Sequence, residues 1–142
     1  MANENRQNTE YADARLSARA VLTVLWITLI LLYIYCDHFS FFRPGEIERV
    51  ISGFIGPFRI TQVSLVLASL TTIIPSLIII ACLFLKAKYL RLINIIGGTL
   101  FALVSIGNLV GESWAYYWIY GVFELLVTVL IVIKAFKWSL AK

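Results

Sequence analysis

One carboxylate in this chain stands where a bilayer would place its hydrocarbon. Glu124 is the sole formal charge within the apolar window 113–133, eight residues past Tyr116 and ten before Lys134. At 1.5 Å per residue it lies roughly 12 Å from one end of a helix and 15 Å from the other. A charge at that depth costs about 2.5–3.5 kcal/mol on insertion scales, so the side chain should face other helices, neutral or partnered. Tyr117, Tyr120, Thr128 and Ile131 share its helical face. Depth counting puts Thr71 and Pro75 of an earlier apolar window at similar height. The proline ring displaces the carbonyl four residues back, on Thr71. A glutamic acid could donate to that carbonyl or hold a trapped water. This structural role competes with a ligand or proton site, and a subunit contact is the third reading. Proton relays usually show a chain of ionisable groups. No second buried charge is visible here, which tilts the balance toward structure.

A second group of reactive side chains gathers at one end of the window 20–36. Tyr33 and Asp37 stand four residues apart on one helical face and can hydrogen-bond. His38 has an intrinsic pKa near neutrality, and Arg43 or Arg59 could return to neutralise Asp37. An ordinary interfacial cluster is the bland reading of the same residues.

Other chemistries find no support. Cys36 lies at the outer end of the first window and Cys82 one turn from the cytoplasmic Lys86, most of a bilayer apart, whereas a disulfide needs α-carbons within about 7 Å. There is no C-x-x-C pair, and the single histidine, His38, cannot supply a zinc cluster or two haem ligands. No serine–histidine–acid spacing and no glycine-rich phosphate loop occurs. The expectation is a protein without metal, cofactor or catalytic machinery.

The elements that must position these residues follow from composition. The chain has 142 residues, 61% hydrophobic and 14% charged, against about half and a quarter in soluble domains. The excess is concentrated in windows 20–36, 60–85, 92–111 and 113–133, each near the roughly 20 residues that cross a bilayer. The fold expected is all-α: a polytopic four-helix membrane bundle forming one domain, after a polar leader over 1–15. Within the third window Asn94, Gly98, Phe101, Ser105 and Asn108 recur at 4-3-4-3 spacing, which reads as a packing stripe or, less readily, a ligand lining. Gly107 and Gly111 offer a separate small-residue contact. The second window holds Thr71, Thr72, Ser76 and Pro75, either a kinked packing helix or a hydrated notch. Between the first two windows, Ile47, Val50, Ile51 and Phe54 mark one face of a short amphipathic interfacial helix over 44–54. A lid over a pocket is the alternative.

Charge sets the orientation. Arg6, Arg15, Arg19, Lys86, Lys88, Arg91, Lys134, Lys137 and Lys142 fall on one side, against Arg43, Arg49 and Arg59 on the other. This bias places both termini and the 86–91 turn in the cytoplasm. The net charge of +4 is thus a topology signal with a contact to anionic lipid, and no basic domain exists for nucleic acid. The first window lacks a cleavage site after it and reads as an uncleaved anchor.

The run Tyr35-Cys36-Asp37, then Ser40-Phe41 and Pro44-Gly45, resembles a family of small bacterial multi-pass proteins known only as a domain of unknown function. The similarity continues through Ile60-Thr61, Ile74-Pro75, the run from Arg91 to Ile96 with Gly98, Glu124 and Lys137-Trp138. It covers roughly residues 16–138. In outline the family is similar to the small DoxX-type four-helix membrane proteins. The resemblance implies a bacterial inner-membrane bundle and brings no activity. Cys36 stands where the pattern holds a small or variable residue and takes no role from it.

The function expected is non-catalytic: binding or passage of a small or lipidic ligand at a polar mid-membrane pocket around Glu124, Pro75 and the third-window stripe. A structural or accessory subunit is the competing class, and a small proton-coupled exporter the third. The partners implied are the lipid bilayer, a lipid or small apolar ligand, and a second copy of the chain in a homo-oligomer.

Overall fold

The computed structural model describes residues 16–138; the polar leader 1–15 lies outside the described residues. Four helices are long and apolar enough to cross a membrane: α1 (Ala18–Ser40), α3 (Gln62–Phe84), α4 (Ala87–Leu109) and α5 (Ala115–Phe136). A short helix, α2 (Glu46–Ile51), lies between the first two. The molecule is an all-α, multi-pass bundle.

The helix limits differ from the apolar windows for physical reasons. Helix α4 starts at Ala87, five residues before its window at 92, because Lys88 and Arg91 are accommodated in its first turns. Long basic side chains carry their charge outward while their stems cover apolar surface. Helix α1 runs on to Ser40, carrying Asp37 and His38 in its last turns. Capping is local: Ser17 Oγ accepts from the Ala20 N–H at 3.2 Å, and Thr61 with Ser64 forms a reciprocal box at the start of α3.

The interfacial helix is shorter than the 44–54 expected. It ends at Ile51, and Gly53 takes φ 91°, a left-handed conformation open chiefly to glycine. The chain then reverses through a two-residue hairpin, β1 (Phe54–Ile55) against β2 (Phe58–Arg59), with Phe54 opposite Arg59. Phe54 therefore belongs to a strand. The apolar face of α2 lies at the surface: Ile51 is 80% exposed and Ile47 is also open.

Helices α4 and α5 form the most extensive contact, followed by α1 with α5 and α1 with α3, while α3 meets α4 lightly. The first and fourth helices face each other across the middle, bridged by large side chains. Three glycines let neighbouring helices approach, Gly97 against α1 and α3, and Gly98 and Gly121 between α4 and α5. A Cβ at Gly97 would stand 2.9 Å from Ile78 Cδ1 and 3.3 Å from the Trp26 ring. One at Gly98 would stand 2.8 Å from Val132 Cγ2, and one at Gly121 2.5 Å from Leu109 Cδ2. The expected Gly107–Gly111 contact does not form. A Cβ at either would meet nothing within 4 Å, and Gly111, with φ 81°, instead turns the chain into α5.

The two ends of the bundle differ in charge. Arg19, Lys86, Lys88, Arg91, Lys134 and Lys137 gather at one, here the basic end, with no described acid. The other, the loop end, carries Arg43, Arg49 and Arg59 with Asp37, Glu46, Glu48 and Glu112. Two of the basic side chains close helix ends. Arg19 donates to the Cys82 and Leu85 carbonyls at 2.8 and 2.7 Å, and Arg91 to the Phe136 carbonyl at 3.0 Å. These carbonyls lack intrahelical partners and carry the negative end of the helix dipole.

Candidate functional site

Two polar layers cross the apolar core. The one nearer the basic end joins α1 to α4: Trp26 Nε1 donates to Asn94 Oδ1 at 2.7 Å, and Asn94 Nδ2 donates back to the Leu90 carbonyl at 2.8 Å. Both residues are fully buried. An indole N–H in such a place needs an acceptor, and this pair satisfies it.

The second layer holds Glu124, 3% exposed and facing the bundle as its cost requires. Its carboxyl stands beside the Ser105 hydroxyl of α4, whose Oγ shares a 3.0 Å hydrogen bond with Tyr33 Oη of α1. Side chains lean toward the N-terminus of their own helix. Because α4 and α5 run antiparallel, Ser105 and Glu124 lean toward each other. Thr128 adds to the layer by donating to the Glu124 carbonyl at 2.9 Å. Among the described residues no cation pairs with Glu124; the ion pairs are Arg43–Glu112 and Arg49–Glu46.

Phe101 separates the two layers. Its ring meets Trp26 edge-on at 5.6 Å and Tyr33 at 6.1 Å, and it is 2% exposed. On its side toward the basic end the Glu124 layer meets these rings as an aromatic plug. Toward the loop end its neighbours are polar. Asp37 is near enough to act electrostatically on Glu124, Tyr33 and Tyr117, and it is exposed at its own position. A carboxylate within electrostatic reach of Glu124 was absent from the sequence reading, which had separated Tyr33 and Asp37 from Glu124. In the fold they lead toward one another.

The remaining candidates take other places. Tyr120 turns into an aromatic stack with Phe39 and Tyr116, at 6.3 and 6.5 Å. Pro75 is buried within an unbroken α3. Thr71 Oγ1 donates to the Ala68 carbonyl of its own helix at 2.6 Å, and Thr72 and Ser76 also bond within α3. Helix α3 packs mainly on α1. These hydroxyls thus find acceptors along their own helix. Asn108, the last residue of the α4 stripe, is exposed, while Asn94, Gly98, Phe101 and Ser105 are buried.

The loop-end cluster is organised around Glu112, a residue the sequence pattern does not single out. Arg43 pairs with Glu112 at 3.0 Å, rather than with Asp37, and Arg43 Nε donates to Tyr116 Oη at 2.6 Å. Its guanidinium also lies 5.0–5.5 Å from the ring centres of Trp114, Tyr116 and Tyr117, within cation–π range. Glu112 Oε1 accepts from the Ser113 and Trp114 N–H groups at 2.8 and 2.9 Å, covering the first turn of α5. Burial works against both charges. For Arg43 the Tyr116 and Glu112 hydrogen bonds outweigh it and hold the pKa above its ordinary value. For Glu112 the Trp114, Arg43 and Ser113 bonds outweigh it and hold the carboxyl below the usual range. His38 stands apart from this latch, edge-on to Phe39 and Phe42 at 6.1 and 5.4 Å. Cys36 and Cys82 are buried and free.

A family model described as a family of unknown function, DUF6326, matches residues 10–142. No curated protein and no solved structure matches the chain.

Proposed function

The chain belongs to the family of unknown function DUF6326, and from that premise we propose that it is a non-catalytic membrane receptor for a small or lipidic ligand, bound at the Glu124 layer. The observation that carries this reading is Glu124 itself: buried at mid-span, beside Ser105 and Tyr33, and with no cation to neutralise it among the described residues. A group so costly to bury usually faces the bundle interior or a cavity and marks a functional site. Access is from the loop end, where Tyr117 and Asp37 continue the polar surface. The Phe101 plug favours binding over passage, and it weighs equally against a proton-coupled exporter, which would need a route beyond that ring. The chain resides in the bacterial inner membrane with its basic end in the cytoplasm, the direction nine bases against three favour.

A structural or accessory subunit is the second reading, and one observation favours it. A groove of about 430 Å³ between α1 and α5 opens at the basic end, and Glu124 does not line it. Mass spectrometry of the intact chain, released gently from detergent, separates the two. The receptor reading expects a co-purifying small molecule or lipid that is lost in Glu124→Gln, which keeps size and hydrogen bonding but cannot ionise. Identical bound species in both proteins would leave Glu124 a packing group.

A further inference from the structure

At the basic end, α1 and α5 part to leave a groove of about 430 Å³. Its α1 wall is Ala18, Val21 and Leu25; its α5 wall is Leu130, Ile133, Lys134 and Lys137. Both sets recur at three- and four-residue spacing, so each wall is one continuous helical stripe. Along α1 it runs about 10 Å in depth. The polarity is graded: Leu25 and Leu130 lie deepest, while Lys134 and Lys137 stand at the mouth beside Trp138. An apolar slot with two lysines at its mouth is complementary to one kind of occupant, a chain with an anionic head.

The surrounding charges sharpen that match. All six described cations of this end have no described acid beside them. Arg19 is committed to the Cys82 and Leu85 carbonyls and lies 5.8 Å from the Trp138 ring centre, which helps hold the mouth. The end of α5 would ordinarily repel an anion through its free carbonyls. Here Arg91 donates to the Phe136 carbonyl and offsets that field. Lys134 and Lys137 remain uncommitted among the described residues.

We propose that this groove binds one anionic phospholipid from the leaflet that meets the basic end. Its acyl chain lies along Val21, Leu25 and Leu130, and Lys134 and Lys137 hold its phosphate. The site is independent of the Glu124 layer: it opens at the opposite end of the bundle, and Glu124 does not line it.

The full chain in detergent, offered equal amounts of phosphatidylglycerol and phosphatidylcholine with matched acyl chains, provides the test by native mass spectrometry. Wild type is expected to retain one phosphatidylglycerol in preference to phosphatidylcholine. Each lysine near an anionic headgroup contributes about fivefold, so Lys134→Gln with Lys137→Gln should reduce the preference about 25-fold. Lys86→Gln with Lys88→Gln, at the same end but outside the groove, should leave it unchanged. Val21→Phe, which fills the slot with the lysines intact, should also displace the lipid. Equal retention of both lipids would overturn the proposal, as would an equal loss in the Lys86/Lys88 pair, which would mean diffuse attraction. A second copy of the chain in the groove, seen as a dimer that excludes lipid, would overturn it as well.

Discussion

At the scale of single residues, the core depends on polar atoms that have found partners. Replacing Asn94 by Leu would leave the Trp26 indole N–H buried without an acceptor. That should destabilise the bundle by about 1–2 kcal/mol, between the smaller values found for hydrogen bonds within membranes and the cost of an unmade buried bond. Thermal unfolding in detergent measures it, and Trp26→Phe with Asn94→Leu should recover part of the loss. The Arg43–Glu112 latch gives a pH dependence. The Glu112 carboxyl titrates lower in the folded chain than in the unfolded one. Its stabilisation is therefore present above the ordinary value of about 4.3 and is lost as pH falls through the lower folded value. Unfolding followed by Trp emission should show this acid loss in wild type and a weaker one in Glu112→Gln. Glu124 was legible in the sequence because one charge in an apolar window violates its surroundings. Ser105, Tyr117 and Thr128 were legible beside it from the third-window stripe and the shared helical face, but Tyr33 was not. Tyr33 and Ser105 meet only because α1 and α4 face each other across the bundle, a relation that helical periodicity within each helix cannot supply. A signal for Tyr33 did exist: Leu22, Trp26, Leu29, Tyr33 and Cys36 follow the 4-3-4-3 rhythm of a buried stripe.

At the scale of elements, the four helices were readable because a bilayer demands a long apolar run and tolerates little else. Their limits were less so, since the first turns of α4 carry basic residues whose charges reach past the apolar zone. The hairpin after α2 was invisible for a related reason. Ile47, Val50, Ile51 and Phe54 keep a helical rhythm, but Gly53 with its positive φ breaks the backbone before Phe54. Glycines also show why a motif is weaker than a contact. Gly107 and Gly111 have the spacing of a packing pair and touch nothing, whereas Gly98 has no such partner and is enclosed by Val132, Ile131 and Thr128. Gly98→Ala should cost about 1–3 kcal/mol through overpacking between α4 and α5. Gly107→Ala, on an open face, should be neutral or gain up to about 1 kcal/mol from helix propensity. Unfolding midpoints of the two variants, compared in one detergent, test the assignment of the α4–α5 interface.

At the scale of the whole molecule, the chain is a bundle with a basic end and a mixed-charge end, each with its own polar feature. The asymmetry predicts orientation: a reporter fused in the connection at residues 85–86, between α3 and α4, should signal from the cytoplasm, and one fused in the hairpin over 54–59 from the opposite side. Between the ends, Phe101 stands between the two polar layers, and Asp37 and Tyr117 lie within electrostatic reach of Glu124 toward the loop end. The central claim is that this layer is an accessible site rather than a sealed packing bond. Its most direct test is modification of the intact, folded chain by an apolar carbodiimide, which adds to carboxyl groups it can reach from a nonpolar phase, located by peptide mass. The account predicts that Glu124 is modified in the folded protein and that no corresponding adduct forms in Glu124→Gln. Glu124 left untouched in the folded chain, and modified only after unfolding, would contradict it.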